Sequence, residues 1–384
     1  MIKSIKDFGA LGNGVYDDYT AFQRALDSGE NEIYIPQGIY PVSETLKIHS
    51  NTKIIAEKTA KICMQSTRKR RRNEFLISNS DTEKGNKDIR ISGGIWDGLN
   101  TLSYNQKANL FDSDGYSGAL LNFINVDGLE LSDMVLANSV TYYIRMGRVE
   151  NFKIEDINLV SDNFGANQDG IHFSGGVKRG RVKNVRALSF GQSNDDMIAF
   201  NADDCVERVE NFDLTRDTIE DITVENVYAE NCHSIIRLLS VTAEIKNICL
   251  KNIYGGFRCN AINADAARYC KTPIFNDDDY PNGVGKISNV IIDNFTCFPV
   301  LELPENFGGT LFKPQTAISL ESKADNFKIT NFNYITDTKT AKICPALIAK
   351  NITNQKLIFD ENNITVDSKS ETVKINNFKK ISII

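Results

Sequence analysis

The chain has 384 residues, a formal net charge of −6 and 41% hydrophobic residues. It is long enough to bury a large core, and its acidic balance argues against nucleic acid as the main partner. Eight cysteines show no C-x-x-C pair, and with only three histidines no metal-ligand spacing appears, so neither a metal nor any other cofactor is expected.

Several cysteines, Cys249 and Cys297 among them, sit in apolar strand-like segments and read as buried free thiols. No apolar run is long enough for a membrane span, so no membrane partner is expected. Read as given, with no apolar leader before the folded-looking sequence, the protein is expected to be cytoplasmic; removal of a leader would make it secreted.

Residues 5 to 28 run from a short strand through the turn Gly9-Ala10-Leu11-Gly12-Asn13-Gly14 into a helix. Asp17 or Asp18 caps this helix, Ala21, Phe22, Ala25 and Leu26 form its apolar face, and Gly29 ends it. The glycines are not a phosphate cradle, because the lysine of a nucleotide loop is missing. Ile33 to Tyr40 reads as strand, Pro-Gly turn and strand. Arg68-Lys69-Arg70-Arg71-Arg72 reads as a solvated loop, with contact to an anionic substrate or a neighbouring subunit as the alternative. Trp96, the only tryptophan, lies beside glycines and reads as packing rather than a sugar platform.

From Leu131 onward one short pattern recurs: an apolar residue, any residue, Asp or Asn, then an apolar residue. It begins at Leu131, Ile154, Val182, Val224, Leu250, Ile292 and Ile329, at spacings of 23, 28, 42, 26, 42 and 37 residues. Strand-like repeats of this length point to a β-helix solenoid. Asn or Asp at one recurring turn position suits the left-handed backbone that closes a coil. The two 42-residue intervals hold either an extra coil or an insertion. A solenoid needs its open end covered, and the helix near residues 18–28 is expected to do so.

Counting forward from the repeat starts, Arg145 lies 14 residues on, Asp169 15, Asp195 and Asp196 13 and 14, Arg237 13 and Asp265 15. Rungs of a parallel sheet are ~4.8 Å apart, so these side chains are expected to form one vertical stack lining a groove. Three carboxylates on two rungs cannot all ionise freely, which leaves an acid and a base near neutral pH. Breaking a glycosidic bond needs that pair. The competing reading is that these aspartates only satisfy turn amides. His172 should face the groove, because Ile171 should face the core; it contacts substrate or is solvated. The run Asn276-Asp277-Asp278-Asp279, in a long loop over residues 266–286, reads as solvated rather than as a cation site. Beyond residue 340 the apolar runs are strand-like and carry no legible chemistry.

Two segments carry a family resemblance. The opening Asp7-Phe8-Gly9-Ala10, with Asp17-Asp18-Tyr19-Thr20-Ala21 and then Ile33 to Tyr40, is similar to the start of the pectate-lyase-like superfamily of right-handed parallel β-helix proteins. Asn167-Gln168-Asp169-Gly170-Ile171, followed by Asp195-Asp196-Met197-Ile198-Ala199, resembles the polygalacturonase-type glycoside hydrolases, which carry an Asn-Thr-Asp element and an Asp-Asp element one coil later.

The resemblance implies an all-β, right-handed parallel β-helix with an N-terminal capping helix, residues 1–30 being the cap and 31–384 the coils. It implies an inverting hydrolase acting on a carbohydrate, an α-linked glycan or oligosaccharide. Asp195 would be the general acid, and Asp169 and Asp196 would position and deprotonate the water. Arg237 falls where the family has the arginine of Arg-Ile-Lys. Arg145, Asn167, His172 and Asp265 are the further candidates for substrate contact.

Two departures stand out. Leu239 replaces the family's lysine, which turns the expectation from galacturonan towards a galactoside-like substrate. No Gly-His-Gly element follows Asp196 within a coil; His233, four residues before Arg237, reads as a turn residue in the wrong coil. A lyase or epimerase on a uronate polymer, and a non-catalytic glycan-binding solenoid, are the alternatives.

Overall fold

The computed structural model describes residues 2–65, 74–100, 118–203, 216–264, 285–305, 307–308 and 313–350, with strand segments at 355–359, 362–366 and 372–375. The basic run Arg68–Arg72, Asp265 and the Asn276–Asp279 run lie outside these residues.

The seven repeat starts form one column. Leu131, Ile154, Val182, Val224, Leu250, Ile292 and Ile329 are successive register partners in parallel strands, and all seven are fully buried. Two residues further along each coil, Asp133, Asp156, Asn184, Asn226, Asn252, Asn294 and Asn331 all have φ between +52° and +60°. That conformation costs most L-residues ~1–2 kcal/mol and is best tolerated by Gly, Asn and Asp, which is why the motif recurs. The side chains add a ladder along the axis: Asn226 Nδ2 donates to Asn184 Oδ1 at 2.8 Å, Asn252 to Asn226 at 3.0 Å and Asn294 to Asn252 at 2.8 Å. A second left-handed column runs five residues earlier through Asn151, Arg179, Asp221, Asn247, Asn289 and Asn326. The chain therefore bends on either side of the short strand that carries the repeat.

The 42-residue intervals are insertions, not extra coils. Val182 pairs directly with Val224, and Leu250 with Ile292. A second apolar column, Ile77, Leu121, Ile144, Ile171, Ile198, Ile236, Ile262 and Ile318, runs along the next wall of the same core. Phe152, Phe173 and Phe200 stack between the walls at 5.5 and 5.1 Å. Each such side chain, fully withdrawn from water, contributes ~1.5–3 kcal/mol, and rung-on-rung stacking keeps every one of them buried. The result is a parallel β-helix.

At the N-terminal end, helix α1 (Tyr19–Asp27) buries Ala21, Phe22, Ala25 and Leu26 in the continuous core. Asp18 occupies the capping position, yet its carboxylate turns back to accept from Leu11 and Gly12 N–H at 2.6 and 3.0 Å; Asp17 takes the Tyr19 N–H at 3.1 Å. Trp96 is fully buried and donates to Gly93 O at 3.0 Å, a packing role. Cys297 is a buried free thiol, while Cys249 is only half-buried because its residue faces outward beside the repeat. The parallel ladder does not extend through all the C-terminal coils: Leu347–Lys350 pairs antiparallel with Thr372–Ile375, and Gln355–Phe359 with Asn362–Val366.

Candidate active site

The expected single stack is two columns. Arg145, His172, Ala199, Arg237 and Asn263 are register partners on the outward side of the Ile144–Ile262 wall. Asp196 pairs instead with Ser234 and then Asn260, three residues earlier on each rung. Asp169 lies below Asp196 in that earlier column, with Gly170 N–H donating to Asp196 O at 3.0 Å.

Counting from the repeat merged the columns because the intervening turn varies in length. From Val224 to Ile236, and from Leu250 to Ile262, is 12 residues; from Ile154 to Ile171 is 17 and from Val182 to Ile198 is 16. The two rungs with the longer turns carry the aspartates. Gly170 is required between them and the strand, since a Cβ there would sit 2.5 Å from Met197 O.

The turn backbone brings the carboxylates together. Asp169 is buried; its Oδ1 accepts the Asp196 main-chain N–H at 3.3 Å, and its Oδ2 lies 2.6 Å from His172 Nδ1. The Asp169 and Asp196 carboxyl groups therefore lie less than ~10 Å apart, close enough to act on one glycosidic bond. Asp195 is the most accessible of the three, with 24% of its side chain exposed. Its Oδ2 accepts from Asn167 N–H at 3.2 Å and from Asn167 Nδ2 at 3.5 Å. Asn167 reaches it from a left-handed backbone, φ +57°.

Asp196 is buried, 3.7 Å from Arg237 Nη1 through Oδ2, and its Oδ1 accepts no hydrogen bond from any described residue. Arg145 lies one rung below His172, where Nη1 donates to Asn122 Oδ1 at 3.0 Å.

His233 belongs to this cluster. Its N–H donates to Asp195 O at 3.1 Å, and its Nδ1 stands 3.3 Å from Asp195 Oδ1 and 3.7 Å from Asp196 Oδ1. The expectation of a turn residue in the wrong coil fails because the 42-residue interval after Val182 is a single coil with an insertion, so His233 sits on the rung directly after the aspartates. Arg258, one rung further on, is a second residue that sequence reasoning missed. It is buried, and Nη2 donates to Asn194 Oδ1 at 2.6 Å, while Asn194 Nδ2 donates to Gly165 O at 2.8 Å. The only advance signal for either residue was a cation next to a strand of the Ile236–Ile262 wall. His172 is neither solvated nor open to the groove: it is 4% exposed, stacked on Tyr142 with ring centroids 4.1 Å apart.

Electrostatics split the carboxylates. Burial, then the neighbouring Asp195 and Asp196 charges, push Asp169 well above the ordinary carboxylate range. Burial also works against ionised Asp195, but the hydrogen bond and charge of His233, with Arg237 and the Asn167 N–H, outweigh it and hold Asp195 below that range. Burial opposes the His233 cation, yet the Asp195 and Asp196 carboxylates beside its Nδ1 carry its pKa well above the usual imidazole value. Oxygens of Asp195 and Asp196 and a His233 ring nitrogen lie within 4.8 Å of one another, a set able to hold either a proton or a small cation.

Known proteins share this architecture. The fold is similar to a family 28 exopolygalacturonase of Yersinia enterocolitica, with a TM-score of 0.52 at 15% identity over 95% of this chain and 79% of that one. It is equally similar to PfbA, a surface protein and adhesin of Streptococcus pneumoniae, with a TM-score of 0.51 at 13% identity over 93% and 97% of the two chains. In sequence, a pre-neck appendage protein of Bacillus phage phi29 is 35% identical over 97 residues, 25% of this chain and 11% of that protein. The chain thus matches only about a tenth of the length of that relative. A sequence model of the family described as "Rhamnogalacturonase A/epimerase, pectate lyase-like" matches residues 2–258, and the chain belongs to that family.

Proposed function

We propose that the protein is a glycoside hydrolase that cleaves an α-linked glycan or oligosaccharide, galacturonide or galactoside-like, with inversion. The observation that carries this reading is the convergence of three carboxyl groups on two adjacent rungs, Asp169 Oδ1 on the Asp196 N–H at 3.3 Å and His233 Nδ1 3.3 Å from Asp195 Oδ1. Burial and like charge push Asp169 upward, while His233 holds Asp195 down. Such a cluster holds a proton and a free carboxylate at the same pH, as hydrolysis requires.

Asp195 is the exposed member and the one able to meet a leaving oxygen. With Asp195 ionised in the free protein, the proton it delivers comes from His233 through their 3.3 Å contact. Asp169 and Asp196 position the attacking water, and Asp196 Oδ1, which accepts no hydrogen bond from the described residues, takes its proton. The water oxygen bonds to the anomeric carbon as the glycosidic C–O bond breaks, and the leaving oxygen keeps the delivered proton. Arg237 steadies Asp196, and Asn167 aims Asp195. The same reading takes the coil as right-handed and α1 as the cover of its N-terminal end.

A panel of α-linked glycosides and oligogalacturonides, assayed for released reducing sugar, tests the proposal. Release that fails in Asp195→Asn supports it. Unsaturated product absorbing in the ultraviolet would mean a lyase instead, and binding without any product would mean a glycan-binding solenoid.

A further inference from the structure

Two of the three histidines stand at the carboxylate cluster, and only His233 has a part in the proposed hydrolysis. His49, the third, pairs with Asp27 on the surface. His172 Nδ1 lies 2.6 Å from Asp169 Oδ2, both side chains are about 95% buried, and Tyr142 lies flat against the imidazole, 26° from parallel. The Tyr142 ring leaves the imidazole little room to rotate, so Nδ1 stays aimed at one Asp169 oxygen. That in turn leaves Oδ1 on the Asp196 main-chain N–H.

We propose that His172 is a positioning residue for Asp169: clamped by Tyr142, it donates its Nδ1 proton to Oδ2 and so holds the Asp169 carboxyl one rung below the Asp195–Asp196 pair. A carboxyl buried among two others needs hydrogen-bond partners to stay there, and the 2.6 Å contact fixes which His172 ring nitrogen faces it. The charged and titratable groups around His172 are Asp169, Arg145 on the rung below, and Arg237 two rungs above, in the same column; Asp195, Asp196 and His233 lie beyond Asp169. The proposal deepens the hydrolase reading, but its first test does not depend on it.

Full-length protein labelled with ¹⁵N-histidine gives three imidazoles, assigned through His49→Gln and His233→Gln. His172 is expected to carry a slowly exchanging proton on Nδ1 across the neutral range. A bare Nδ1 overturns the proposal whatever the protein's activity.

The second test crosses two variants. His172→Phe keeps a ring against Tyr142 and removes the donor; His172→Asn gives up the ring and keeps a donor near Nδ1. On whichever glycan the wild type cleaves, the Phe variant should lose ~10²-fold in kcat with KM little changed and a shifted pH profile, and the Asn variant should recover most of that loss. A Phe variant as active as wild type, or an Asn variant worse than Phe, means His172 only packs. If the wild type cleaves nothing, the hydrolase reading fails and the Nδ1 measurement still decides the role of His172.

Discussion

Asp195 and His233 hold each other in their charged forms, and that mutual support can be measured in two ways. Asp195→Asn is nearly isosteric and sits beside Asn194, so packing should survive. Turnover on a natural glycan should fall by the ~10²–10⁴-fold of a lost general acid, with a smaller loss on an aryl glycoside whose leaving group needs little protonation. Proton NMR of fresh product should show the inverted anomer, and undiminished turnover in the variant would name the wrong acid.

The pair also links stability to pH. His233, raised in the folded state, contributes stability that is fully present below its unfolded value of ~6.5 and lost as pH rises through the folded value. Asp195, lowered, contributes stability present above ~3.9 and lost as pH falls through its folded value. Melting curves should therefore show His233→Gln below wild type by a margin widest between about pH 4 and 6.5. The margin should narrow at higher pH, and one that widened there would contradict the pairing.

Left-handed corners flank the repeat strand of each coil, and the corner is where one residue matters most to the element. Asn226 has φ +60°, donates to Asn184 Oδ1 and accepts from Asn252 Nδ2. Asn226→Ala puts an ordinary L-residue into that conformation and breaks both rungs of the ladder. A cost of ~1–2 kcal/mol from the backbone alone is expected, read as a lower denaturant midpoint with an unchanged slope. Asn226→Gly loses the same ladder contacts but not the conformational fit, so it should be the milder change. Equal costs for the two would place the stability in the side-chain ladder rather than in the corner. This element was legible in the sequence, since the αL requirement acts on one residue at a time. The second corner column escaped notice because Arg179 and Gly128 interrupt its run of Asn and Asp.

Across the whole molecule each rung touches mainly its two neighbours, so stability is expected to be distributed along the axis rather than centred. Phe173 lies between Phe152 and Phe200 in the core beneath the site. Phe173→Ala should cost ~3–5 kcal/mol. Amide exchange should speed up most in the rungs spanning residues 144 to 201 and least near residues 30 to 64, at the far end of the ladder. Uniform loss of protection would show that the coil unfolds as one cooperative unit instead.

The sequence alone determined the coil: an apolar residue every rung, a left-handed corner two residues later, and the amphipathic α1 near the start. Each of these answers to a local rule, either the φ that Asn or Asp tolerates or the period of a buried strand. It also determined that Asp169, Asp195 and Asp196 would meet, because they fall on consecutive coils just before strands of one wall. Only the tertiary structure decided which other side chains join them. The interval from the repeat residue to that wall grows from 12 to 17 residues, and insertions stretch two coils to 42, so distance along the chain stops reporting height along the axis. That is why His233 and Arg258 were misplaced or missed, and why Arg145 and Arg237 stand in a different column from the aspartates. His172 was expected to be open to the groove. Alternation sets the face a residue occupies, but whether another ring covers it depends on Tyr142 from the rung below, a contact no local rule encodes.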